Sequence, residues 1–147
     1  MLRVHGVREV LGAGTLALAG FPGLAPAAAC GDGWPMQATA EAGADASAAP
    51  RLAFRTLPAQ VAVGQPFKVE AIVCPAAGGA RPSKLVVDAD MPEHRHGMNY
   101  RARVQALGGG RYRADGLMFH MPGRWRFVFD LQLPQGPLRM TRDLEVD

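Results

Sequence analysis

The chain of 147 residues has room for one domain, and its formal charge of only +3 is too small to suggest nucleic acid as a partner. Apolar content is ordinary for a globular protein, whereas 18 Gly and 12 Pro favour short strands joined by turns over long helices. Helix-period stripes are hard to find after residue 50.

The N-terminus reads as an export signal, residues 1–29. Arg3 and Arg8 supply a positive start, residues 10–25 are apolar and uncharged, and Ala27-Ala28-Ala29 offers small residues before a cut. A retained membrane anchor is the alternative, but Gly12, Gly14, Gly20, Pro22, Gly23 and Pro26 make a poor helix. Without residues 1–29, 14 basic and 12 acidic side chains remain, a net charge of +2. Cleavage after Ala29 places Cys30 first, with two competing fates. It can be lipidated, although Ala27 stands where such signals usually carry Leu, or it can pair with Cys74, the only other cysteine. Pairing leaves no odd thiol and is the favoured reading. Either way the expected location is periplasmic or otherwise exported, with membrane contact only through a lipidated Cys30 or a retained leader.

Residues 30–50 are rich in Ala, Gly, Asp and Ser without a periodic apolar pattern, and are expected to form a flexible arm. Strand patterns begin at residue 51. Leu52, Phe54 and Thr56 alternate with Ala53, Arg55 and Leu57, and after the Gly64-Gln65-Pro66 turn, Phe67, Val69, Ala71 and Val73 alternate up to Cys74. Residues 75–83 form a loop, and Leu85 and Val87 begin the next strand.

The chain then enters residues 91–98, MPEHRHGM, with Met91, His94, His96 and Met98 at close spacing. Two histidines at i and i+2 project the same way from an extended backbone, and Gly97 gives the loop freedom to fold round an ion. Ala102, Val104 and Ala106 alternate next, and Gly108-Gly109-Gly110 makes a hairpin turn. In the return strand, Arg111 and Arg113 share parity with Leu117 and Phe119, a conflict that a β-bulge at Gly116 resolves. That strand ends in a second soft-donor segment, MFHM, with Met118, His120 and Met121. Trp125, Phe127, Phe129, Leu131 and Leu133 give the strongest core strand, and residues 138–146 a last one interrupted by Arg142. The alternating set Arg101, Arg103, Arg111, Arg113, Arg124 and Arg126 reads first as a solvated outer face, and second as a docking patch for an acidic partner or anionic lipid.

These patterns predict an all-β, immunoglobulin-like antiparallel β-sandwich of about seven strands over residues 51–147, preceded by the signal peptide and the arm. The two histidine-methionine segments lie at strand ends before turns. They hold every histidine beyond the leader. Imidazole with thioether suits copper, Cu(I) especially, better than oxygen-seeking Mg, Ca or Mn. Zinc prefers cysteine or carboxylate beside histidine, and a set without a thiolate lacks the cysteine of a blue-copper centre. A three- or four-coordinate site drawing on His94 or His96, on His120 and on one or two methionines is the expectation. The bland alternative is that the methionines fill the core and the histidines bind nothing. No Ser/His/Asp order, carboxylate pair or phosphate loop points to an enzyme.

The stretches MPEHRHGMNYRARV and GGGRYRADGLMFHMPGRWRFVFDL resemble the YtkA-like domain family of small exported β-sandwich proteins, which are similar in style to FixH-like proteins. The resemblance covers about residues 60–146. It implies copper handling, with Met91, His94, His96, Met98, His120 and Met121 as candidate ligands and a cuproenzyme or membrane-complex protein, such as an oxidase in assembly, as partner. Arg95 departs from the neutral residue expected between the two histidines, and a cation there disfavours a bound cation unless it faces solvent. The alternative function is a non-catalytic interaction module of a membrane-associated complex with a structural His/Met cluster.

Overall fold

A computed structural model describes residues 29–45 and 48–147. The expected leader, apart from Ala29, lies outside the described residues. Among the described residues nine strands follow in order: β1 (Met36–Ala40), β2 (Arg51–Leu57), β3 (Pro66–Cys74), β4 (Lys84–Met91), β5 (His96–Gly97), β6 (Arg103–Gly108), β7 (Arg111–Met118), β8 (Gly123–Leu133) and β9 (Gly136–Val146). All pairings are antiparallel, in the order β5-β4-β8-β9-β1-β2-β3-β7-β6. Among the described residues no helix is long and apolar enough to cross a membrane.

The sheet curls into two layers because β1 serves both. Met36, Gln37 and Ala38 pair with β2, and Thr39 and Ala40 with β9. The result is an all-β antiparallel sandwich. Its core is sealed by aromatic rings that cross between layers: Phe54 of β2 lies 5.2 Å from Phe127 and 4.8 Å from Phe129 of β8. Leu85, Val87, Ala89 and Met91 alternate into this core from β4, as do Trp125, Phe127, Phe129, Leu131 and Leu133 from β8. Full enclosure of a Phe or Leu side chain contributes on the order of 2 kcal/mol each, so the inward rows of β4 and β8 dominate the stability of this layer.

The count of nine differs from about seven through β1 and β5. Residues 30–50, expected as an arm, contain a strand that neighbours on both sides hold by backbone hydrogen bonds. Apart from Met36, its apolar side chains are alanines, too small to announce it. The arm is tied down further. Cys30 and Cys74 are disulfide-bonded, with Cα atoms 5.8 Å apart. Arg51 donates to the Cys30 carbonyl, and the Arg55 guanidinium lies 5.2 Å over the Trp34 ring.

The bulge at Gly116 is present. Between the pairs Phe67↔Leu117 and Val69↔Ala114, the two residues Asp115 and Gly116 of β7 oppose Lys68 alone. Gly116 has φ +88°, a conformation open to glycine at little cost. The extra residue turns Leu117 and Phe119 inward to join Tyr112 and Ala114 in the core.

The arginine set divides between the outer faces of the two layers, and half of it is neutralised. Arg113 and Arg55 flank the buried Glu70 at 3.2 and 2.6 Å. Arg124 pairs with Glu93 and Arg126 with Asp143. Arg101, Arg103 and Arg111 are exposed and have no carboxylate partner among the described residues.

Candidate metal centre

The first segment is built by a tight reversal of β4. Pro92 opens the turn with its fixed φ, and the His94 and Arg95 amides both donate to the Met91 carbonyl at 3.0 and 2.9 Å. Arg95 takes φ +54°, the only non-glycine residue in the left-handed region among the described residues, at a cost on the order of 1 kcal/mol. His96 then pairs with Met91, and Gly97 with Asp90. Residues opposed across a ladder share a face, so His96 lies on the inward side with Met91. The two histidines are thus brought near each other by a turn rather than by the extended backbone expected. Their ring centres are 5.9 Å apart.

The second segment descends from the bulge. Phe119 is fully enclosed and packs its ring 4.7 Å from Trp125 and 4.8 Å from Phe67. His120 and Met121 follow in the bend before β8. Gly123, at φ +122°, re-enters the sheet directly over Met91, where an added Cβ would meet Met91 Cε at 3.0 Å. Trp125 returns beneath the bend and donates from Nε1 to the Met121 carbonyl at 3.0 Å, which fixes the backbone beside His120.

The two segments meet at one end of the sandwich. The His96 and His120 ring centres stand 5.2 Å apart, and Trp125 lies edge-on to both, at 6.1 and 5.3 Å. A nitrogen bonded to a metal at about 2 Å places its ring centre roughly 3.2 Å from the ion, so two imidazoles on one tetrahedral or trigonal centre stand roughly 5.2 to 5.5 Å apart. The His96–His120 spacing fits that range. His120 Nδ1 is buried without a hydrogen-bond partner, an uncommon state for a buried polar atom. His96 Nδ1 lies 3.3 Å from the Gly97 carbonyl. A carbonyl only accepts, so this contact favours the proton on Nδ1 and leaves Nε2 as a lone-pair donor.

The remaining candidates occupy different depths. Met98 and Met121 are half-buried and pack on the core edge, and Met118 is half-buried at the end of β7. Met91 is enclosed, 1% exposed, within the core. His94 and Arg95 are exposed, so the Arg95 charge is solvated. Among the described residues no group of three or more His, Cys, Asp or Glu side chains is placed to hold a metal ion. The His96–His120 pair therefore offers two nitrogens, and a fuller soft set must draw on the thioethers of Met98 and Met121. That donor chemistry fits copper(I), which accepts low coordination by nitrogen and sulfur, and it fits zinc poorly.

Three neighbours escape a reading of donor residues alone. Glu93 and Arg124 form an ion pair at 2.8 Å that links the first segment to the start of β8. Trp125 reads in the sequence only as a core residue, although the Pro122-Gly123 turn between His120 and Trp125 is a signal that it folds back on that histidine. Asp90, on the outer face beside a recess of about 410 Å³ that His96 also lines, has a buried Oδ1 without a hydrogen-bond partner. Burial pushes its carboxyl above the usual range, opposed by the charge of Arg126.

The chain matches no protein-family model, no curated protein and no solved structure. The chemistry of the site carries the functional reading.

Proposed function

We propose that this is an exported copper-binding protein, a carrier or metallochaperone, that holds copper between the β4–β5 hairpin and the β7–β8 connection. One observation carries the reading. Two imidazoles from segments far apart in sequence stand at the spacing of ligands on one ion, and the buried Nδ1 of one of them has no protein partner. Met98 and Met121, half-buried in the same two segments, would add the thioether donors that favour copper(I), and shallow placement beside turns suits a site that must give its ion up. Copper(II) would rest mainly on the nitrogens. The resemblance to YtkA-like domains points the same way and suggests a cuproenzyme, such as an oxidase in assembly, as recipient.

A second reading treats the protein as a non-catalytic docking module whose His/Met cluster is structural. The enclosure of Met91 and the lack of a third converging nitrogen or carboxylate among the described residues favour it. Against it, His94 is exposed, His96 and His120 are only half-buried, and the two half-buried rings share a single backbone hydrogen bond. Structural histidines are ordinarily satisfied.

Competition titrations of the purified protein with copper(I) against a chromophoric chelator, with zinc in parallel, separate the two. Binding of one copper, weakened about tenfold or more in His96→Ala and in His120→Ala, supports the metal reading. Copper affinity unchanged in a variant carrying both His96→Ala and His120→Ala, or zinc bound as well as copper, overturns it.

A further inference from the structure

The three imidazoles form a row, and their surroundings grade along it. His94 is exposed on the turn, His96 is half-buried in β5, and His120 is half-buried with its Nδ1 sealed from solvent. The ring centres step 5.9 Å from His94 to His96 and 5.2 Å from His96 to His120. His96 therefore neighbours both of the others. Trp125 lies against the inner two. Because no three nitrogen or carboxylate donors converge among the described residues, an ion in this row has two imidazoles at a time.

We propose that His94 is a capture ligand, which receives copper from solvent and passes it inward by exchange at the shared His96. The inference rests on the copper reading above and assigns the route by which that site is filled and emptied. His94 and His96 would hold the ion first, and less tightly, because their rings stand 5.9 Å apart, wider than the inner pair. Exchange of the His94 nitrogen for that of His120 would keep the His96 imidazole attached throughout, so the ion would not return to full hydration. The outer position has the open access that capture needs. The inner one has the buried nitrogen without a protein partner, which favours residence. A group bonded only along the route speeds filling and emptying by the same factor, leaving the equilibrium where it was.

Stopped-flow fluorescence tests this. The chain has two tryptophans, Trp34 and Trp125, so a Trp34→Phe background leaves Trp125, beside the inner site, as the sole reporter. Copper(II) alone is mixed with the protein, and release is followed on mixing the loaded protein with EDTA, extrapolated to zero chelator. In His94→Ala both rates fall about fivefold or more while the dissociation constant stays within about twofold. A dissociation constant raised about tenfold with uptake unchanged would make His94 a resident ligand and overturn the proposal. Unchanged rates and affinity would overturn it by leaving His94 without a role. Absence of copper quenching or binding in the Trp34→Phe protein and in the unsubstituted protein would instead remove the copper reading itself, and the capture role with it.

Discussion

Replacing Phe119 with alanine removes the ring on which the candidate site rests. Phe119 is fully enclosed, with ring centres of Trp125, Phe67 and Phe127 at 4.7, 4.8 and 5.7 Å. These neighbours belong to both layers and are themselves pinned, Trp125 by its bond to Met121, so the space left cannot close by collapse. The cost is then at the upper part of the range for such truncations, about 4 kcal/mol. Phe119→Leu retains most of the volume and costs about 1.5 kcal/mol. For a domain of this size the alanine variant should melt roughly 12 to 20 °C lower. Urea denaturation followed by circular dichroism gives the difference directly, read from the midpoint at unchanged slope. A loss below about 1.5 kcal/mol for Phe119→Ala would refute the reasoning, because it would mean the pocket repacks and Phe119 is not a rigid support.

Two glycine substitutions should separate backbone strain from collision. Gly116→Ala meets nothing closer than the Arg101 carbonyl at 3.8 Å and loses about 1 to 2 kcal/mol from its φ alone. Gly110→Ala places Cβ 2.5 Å from the Val73 carbonyl oxygen and should lose clearly more in the same denaturation assay. Cys30→Ser with Cys74→Ser opens a loop of 44 residues and should lower stability by about 4 kcal/mol on loop entropy, measured against the oxidised protein. Asp90→Asn should raise the urea midpoint at neutral pH, since burial lifts the folded carboxyl above its unfolded value. A raised carboxyl makes the wild type relatively most stable below about pH 3.9, and that advantage is lost as pH rises through the folded value. The gain in the variant should therefore vanish at about pH 3, and a gain that persists there contradicts this cause.

Much of the fold was legible because its signals are local. The faultless alternation from Trp125 to Leu133 is the inward row of β8, and the clash of parity between Arg113 and Leu117 located the bulge that the backbone shows. β1 was not legible. Met36, Ala38 and Ala40 do alternate, but alanine carries little β preference, and the strand exists because β2 and β9 both pair with it. At the candidate site, residue type singled out His96 and His120, while their 5.2 Å approach depends on a tertiary fit between two turns. The turn that sets His94 outward depends on Arg95 at φ +54°, a conformation that its residue type argues against. The arginine set shows the same limit: alternation predicted an outer face, and only the register revealed that Glu70, Glu93 and Asp143 answer three of its members.

X-ray absorption at the copper edge of the copper(I)-loaded protein tests the central claim most directly. The account predicts two imidazole nitrogens at about 2.0 Å and at least one sulfur at about 2.3 Å from the ion, with one nitrogen lost in His96→Ala and in His120→Ala. A shell of light atoms without sulfur, unchanged by either substitution, would contradict it.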